Sequence, residues 1–286
     1  MSAAFGILTD GTCTLPAAAF RALDVGVAPL HVRIGADWYT SGGDGDLSHT
    51  RFYELIADGD HHASTSQPSP GEWLALFDAA RARGHQDLLA ITIASEMSGT
   101  HASATTAAGM TGPRVVVVDS RTNSGGQALI VNAVARARQE GCSFDDAVAL
   151  AQRLAGKPRI FAYVDTLEYL RRSGRVPAAQ ALFGALLHIK PIVRIADGRI
   201  EPVGRARTRP KALARLKELA TEMVDGGAGV KVAVVHTNAP ELAAQLADWA
   251  RGAFDCAELF CEEAGPVLAA HVGPGVVAIA IMKEES

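Results

Sequence analysis

Leu88-Leu89-Ala90-Ile91-Thr92-Ile93-Ala94, followed at once by Ser95-Glu96-Met97-Ser98-Gly99-Thr100, is the stretch whose reading decides the fold. A short apolar run that ends in turn residues reads as a buried strand. The turn is rich in hydroxyls, and the helical pattern from Gly99 to Ala108 begins inside it. The next apolar run, Arg114 to Val118, is the most β-branched in the chain and stops at Asp119, ahead of a long helical pattern from Gly125 to Glu140. Strand followed by helix, twice in succession, predicts a mostly parallel sheet covered by helices. Ligands of such sheets sit beyond the carboxyl ends of the strands, and Ser95 and Asp119 both fall at such ends.

The same alternation extends outward in both directions. Phe5 to Thr9 reads as a first strand, Leu15 to Leu23 as a helix, and Val25 to Ile34 as one long strand, continued by Trp38 and Tyr39. Ser48 caps a helix to Asp58, and Ser69-Pro70-Gly71-Glu72 is a capping box with proline at the first helical position. Thr65-Ser66-Gln67 reads as additional polar loop in front of it. A break falls at Gly156-Lys157-Pro158, which sets two domains, 1–156 and 157–286. The second holds a strand at Ile160 to Val164, a buried helix at Ala178 to His188, a hairpin around Asp197-Gly198, and further strands at Val230 to His236, Cys256 to Glu262 and Val276 to Met282. Its sheet reads as mixed.

A length of 286 residues, 48% hydrophobic, supports a sizeable core across about two domains. The net charge of −4 and the aromatic share of 6% argue against a general nucleic-acid or anionic-membrane surface. No run approaches a spanning helix, and Met1 to Leu8 lacks the pattern of a signal peptide. Cys13, Cys142, Cys256 and Cys261 form no paired C-x-x-C spacing, which points to free thiols in a reducing cytoplasm rather than a metal site. Phosphate loops, strand-anchored G-x-G-x-x-G, G-x-S-x-G and H-E-x-x-H are all missing. No cofactor is expected, and a monomer is favoured.

Three polar turns hold the candidate chemistry: Thr65-Ser66, Ser95 to Thr100, and His271-Val272-Gly273-Pro274-Gly275. Hydroxyls and free N–H groups at helix starts can hold a small anion, and histidine can donate to a carboxylate. Capping alone explains a serine or threonine at such a place, but not three hydroxyls beside Gly99, where the missing side chain leaves room for a ligand. Asp10 follows the first strand either as a turn residue or as an acid that positions a bound group. Two arginine groups, Arg171, Arg172, Arg175 and Arg205, Arg207, Arg209, read as solvated surface or as the contact for an acidic or phosphorylated partner. The trio of turns reads as a grip on a carboxylate. The alternative is a serine-dependent hydrolase with Ser98 as nucleophile and His271 as base.

Taken together, Thr65-Ser66-Gln67-Pro68-Ser69, Ser98-Gly99-Thr100, Asp119-Ser120, Asp165 to Leu170 with Gly174-Arg175-Val176, Ile189-Lys190-Pro191-Ile192 and His271 to Gly275 resemble the DegV family, in order along nearly the whole chain. The resemblance implies two α/β domains with a long-chain fatty acid between them, and a binding subunit of the bacterial fatty-acid kinase type. Such a protein is not itself an enzyme. It presents the fatty-acid carboxyl to a separate kinase subunit for acyl-phosphate formation, within phospholipid metabolism. Carried over by position, Thr65 and Ser98 would hold the carboxylate, Ser66, Ser95, Gly99 and His271 would line the site, and Arg175 would dock the kinase. The chain departs from the pattern at Gly11, where many relatives have serine after the aspartate, and at Ala94, where they often have serine.

Overall fold

The computed structural model describes residues 5–57, 62–174, 189–224 and 229–284. The expected helix at Ala178 to His188 and the candidate docking residue Arg175 lie outside them. In chain order the first half holds β1 (Phe5–Asp10), α1 (Ala17–Ala22), β2 (Val25–Ala28), β3 (Leu30–Ile34), β4 (Asp37–Ser41), α2 (His49–Ile56), β5 (Ala63–Ser66), α3 (Pro70–Ala82), β6 (Asp87–Thr92), α4 (Thr100–Gly109), β7 (Val115–Asp119), α5 (Ser124–Gln139) and α6 (Phe144–Leu154). There follow β8 (Arg159–Tyr163), α7 (Leu167–Ser173), β9 (Lys190–Ala196), β10 (Arg199–Ala206), α8 (Arg209–Met223), β11 (Val230–His236), α9 (Pro240–Ala253), β12 (Cys256–Glu263), α10 (Pro266–Val272) and β13 (Val277–Lys283).

The fold is mixed α/β. One sheet is wholly parallel, in the order β2-β1-β6-β7. β6 is buried along almost its entire length, as its unbroken apolar sequence requires. The larger sheet runs β10-β9-β8-β13-β11-β12 and is mixed: β11 and β12 are parallel, and the remaining pairs are antiparallel. A small antiparallel sheet, β4-β3-β5, completes the set.

Three sequence expectations give way here. The run Val25 to Ile34 is not one strand: it divides at Pro29, which has no N–H to extend a ladder, and its halves enter different sheets. Trp38 and Tyr39 belong to the returning strand β4, not to a continuation. Thr65 and Ser66 are not loop but sit in β5, opposite Val32 and His31. By contrast Ser69 forms the full capping box, its hydroxyl accepting from Glu72 N–H while its own N–H donates to the Glu72 carboxylate at 2.7 Å.

α5 joins the two large sheets. Its Leu129, Ile130 and Val134 are buried in one apolar cluster with Ile7, Leu89 and Ile91 of the parallel sheet and with Ile195, Ala233 and Ala280 of the mixed one. The approach is close because the first turn is Gly125-Gly126: a Cβ on Gly125 would lie 2.9 Å from Val235 Cγ2 and 3.0 Å from the Ala233 Cβ. Polar groups farther along α5 find partners as they are buried. Asn132 donates to the Glu258 carboxylate of β12, and Arg138 to the carbonyls of Phe5 and Leu23.

Gly125→Val should therefore cost about 1–3 kcal/mol by overpacking. Gly109→Ala, where nothing lies within 4 Å, should leave stability unchanged or raise it slightly. Urea denaturation of the two variants beside the parent measures both.

Candidate functional site

In the parallel sheet the chain passes from β1 to β2 on one side and later enters β6 on the other, so the strand order reverses between β1 and β6. A crevice opens beyond the carboxyl ends of two such strands. Asp10, at the end of β1, is fully buried there and does not face the crevice. Its Oδ2 accepts from the Ile93 N–H at 2.7 Å and from Gln127 Nε2 at 3.1 Å, and its Oδ1 from the Thr12 N–H at 3.0 Å. Burial pushes the Asp10 carboxyl up, against the opposing pull of the hydrogen bonds from Thr12, Ile93 and Gln127. Its work is to pin the corner after β6 to the end of β1. Gly11 is required beside it, because a Cβ would lie 2.5 Å from the Ser41 carbonyl oxygen.

The corner that Asp10 pins carries the hydroxyls. Ser95 donates both its N–H (3.2 Å) and its hydroxyl (2.5 Å) to Asp119 Oδ2, tying the ends of β6 and β7 together. Ser98 Oγ lies 2.9 Å from Thr100 Oγ1 and accepts from the Thr100 N–H. Gly99, not Ser98, is the cap residue of α4, and it makes no side-chain cap bond. The space left by its absent side chain is occupied by Gln67, whose Nε2 would be 3.0 Å from a Cβ.

From the other half of the chain comes His271. It lies on α10 rather than in a turn, and α10 packs against α7, β3 and β5. The helix ends at Gly273, with φ of +76°, where any side chain would run into the Tyr169 ring. His271 Nε2 is 2.8 Å from Thr65 Oγ1 on β5. A cavity of about 340 Å³ is lined by Thr65, Ser66, Ser95, Ser98, Gly99 and His271. All six site residues named from the sequence are thus brought to one space. Among the described residues lining it there is no lysine or arginine.

Sequence reading missed Thr12, Gln67, Asn123 and the apolar wall supplied by Leu170, Val267 and Leu268. Asn123 immediately precedes α5, a place where an asparagine ordinarily serves as a helix cap. The wall residues belong to helices whose patterns show burial without showing against what. Asn123, Leu268 and Val272 also line a second, narrow space of about 70 Å³ between the mixed sheet, the start of α5 and α10. That slot is walled by Ile160, Ile195, Val235, Val276 and Ala280. Burial pushes the His236 imidazole at its edge down.

A family model described as "Uncharacterised protein, DegV family COG1307" matches residues 4–284. The chain belongs to the DegV family. It is 36% identical over 282 residues to a DegV domain-containing protein of Streptomyces coelicolor, covering 98% of this chain and 99% of that one. Among solved structures it is similar to a DegV family protein from Thermus thermophilus described by its fatty acid binding, with a TM-score of 0.90 and 29% identity over 98% of this chain and 99% of the other. It is also similar to DegV of Bacillus subtilis, described as a fatty acid binding protein, with a TM-score of 0.87 and 28% identity over 99% and 100% of the two chains.

The DegV motif at Asp165 to Leu170 has a structural role visible here. Asp165 accepts from Arg209 Nε and a guanidinium NH2 at 3.0 and 3.1 Å, and pairs with Lys190 Nζ at 2.6 Å. Lys190 also donates to the Asp165 carbonyl. These bonds hold the start of α7, which brings Leu170 and Ser173 to the cavity. They also explain the Lys190-Pro191 motif and one member of the second arginine group. Burial alone would raise the Asp165 carboxyl, but the Arg209 and Lys190 contacts outweigh it and hold the carboxyl below its ordinary value of 3.8. A depressed acid stabilises the fold above its unfolded pKa and loses that contribution as pH falls through the folded value. Asp165→Asn should lower Tm at pH 7 and flatten the loss of Tm below pH 3.8, as read by thermal melts across an acid series.

Proposed function

We propose that this chain binds a long-chain fatty acid between an N-terminal lobe, 1–156, and a C-terminal lobe, 157–286. The carboxylate is held by Thr65 and Ser98, with His271 in the same polar network, and the tail follows the apolar wall of the cavity toward the slot between the mixed sheet, α5 and α10. The observation that carries the reading is the Thr65–His271 hydrogen bond, made between residues 206 positions apart, in a cavity that Ser98 also lines and that adjoins an apolar space. The two solved DegV relatives named above, both described as binding fatty acid, support the ligand class.

Magnitudes divide the work between tail and head. A C16 tail has about fourteen CH₂ groups, each worth roughly 0.8 kcal/mol when buried, or on the order of 11 kcal/mol in all. Charge-assisted hydrogen bonds add about 1.5–3 kcal/mol each before ordering costs. The tail supplies affinity, and the hydroxyls fix where the carboxyl stands.

A carboxyl held in one place by neutral donors is poised for another protein to act on. The chain acts as a carrier that presents this carboxyl to a separate fatty-acid kinase, which forms the acyl phosphate. The contacts favour this over a hydrolase, since Thr65 is the hydroxyl on His271 Nε2 and Ser98 Oγ pairs with Thr100. Arg175, in the DegV Gly-Arg turn, is the residue proposed to dock the kinase.

Native mass spectrometry of delipidated protein should show one added fatty acid after incubation with hexadecanoate. An unchanged apo mass would contradict the proposal. The double variant Thr65→Ala, Ser98→Ala should retain part of this binding yet support little acyl-phosphate formation with a fatty-acid kinase. Acyl phosphate formed at the parental rate would defeat the head-group assignment.

A further inference from the structure

We propose that Asn123 makes this site selective for fatty acids hydroxylated on one of the first carbons beyond the carboxyl. The inference rests on the fatty-acid reading and adds a substrate class to it. Asn123 lines both the hydroxyl-rich cavity and the apolar slot, and so stands where an acyl chain passes from one to the other. Only 9% of it is exposed. Its Oδ1 has no hydrogen-bond donor among the described residues.

The orientation of the amide is decided by its surroundings. Nδ2 lies 3.5 Å from Met97 Sδ, a weak acceptor. Turning the amide over would set its oxygen against the sulfur, so the oxygen is the atom left free. Asn123 also holds the cap position of α5, where an asparagine oxygen ordinarily accepts from an N–H of the first turn, but its side chain makes no such bond.

The other polar side chains lining the slot are engaged. Ser124 Oγ is 3.0 Å from Thr14 Oγ1. Thr237 Oγ1 donates to the Gly273 carbonyl and accepts from the Val276 N–H. His236 Nδ1 accepts from the Ala239 N–H. On the slot side, where these side chains are engaged, a water at Asn123 would find few polar partners beyond Oδ1 itself.

A buried acceptor without a donor costs free energy that a donor on the ligand recovers. A plain methylene passing Asn123 leaves the carbonyl unpaired, whereas a hydroxyl at that level donates to it. The position of Asn123, at the junction with the head-group cavity, places that hydroxyl near the carboxyl rather than at the far end of the tail.

The test is competition binding to delipidated protein, with displacement of a fluorescent fatty acid by hexadecanoate, by each enantiomer of 2-hydroxy- and 3-hydroxyhexadecanoate, and by 16-hydroxyhexadecanoate. At least one 2- or 3-hydroxy acid should bind about three- to tenfold more tightly than hexadecanoate, and the 16-hydroxy acid should not. Asn123→Ala should abolish that advantage while hexadecanoate still binds. Asn123→Leu, of similar volume, serves if the alanine variant does not fold. Hexadecanoate binding as tightly as every 2- and 3-hydroxy acid, or an advantage that survives loss of the amide, would overturn the proposal. Failure of every acid, hexadecanoate included, would overturn the fatty-acid reading itself.

Discussion

The close approach of α5 to the mixed sheet is the constraint on which the rest of the structure depends. Gly125 carries no side chain, so the first turn of the helix lies directly against Val235 and Ala233, and Gly126 likewise lets it approach Ile160. The opposite face of the same helix meets the parallel sheet, where Gln127 Nε2 donates to Thr9 Oγ1 and Asp10 Oδ2. With its neighbours so near, the first turn of α5 forms one wall of the slot, facing strands of the mixed sheet. The residues that open the helix, Asn123 and Ser124, are therefore lining residues of the slot as well.

That joint brings together side chains that the chain keeps far apart. Ser95 and Ser98 come from the corner after β6, which Asp10 pins through the Ile93 N–H. Thr65 comes from a short strand of the small sheet, and His271 from a helix near the C-terminus. Each is placed by contacts of its own, such as the Ser95–Asp119 bond and the Gly273–Tyr169 approach, so the cluster is preorganised. The described lining holds hydroxyls, one imidazole, two side-chain amides and the Glu96 carboxylate, with no lysine or arginine, so the carboxylate grip proposed above would rest on hydrogen bonds rather than on a strong buried ion pair.

Much of this was legible in the sequence, for local reasons. The capping box at Ser69, the β-branched strand at Val115 to Val118 and the Asp197-Gly198 hairpin are signals complete within a few residues, and each appears in the structure as read. Six residues that line one cavity were named because several hydroxyl-rich turns occurred together with a resemblance to one family. Pairings over long distances were not. Nothing local tells that Pro29 separates strands of two sheets, that Thr65 sits in a strand opposite Val32, or that His271 rides on a helix whose Nε2 meets Thr65. Asn123 escaped notice because an asparagine before a helix has an ordinary explanation, and only the structure shows its side chain left out of the cap. Gly11 and Ala94, departures from the family pattern, acquire a steric meaning. Ser41 closes over the first, and the second is fully buried against Gly198.

The central claim, that hydroxyls from separate parts of the chain hold one carboxylate, is tested most directly by carbon NMR of [1-¹³C]hexadecanoate bound to the delipidated protein. The account predicts a single bound carboxyl resonance that moves in Thr65→Ala and again in Ser98→Ala. A carboxyl resonance at the parental position in both variants would contradict it.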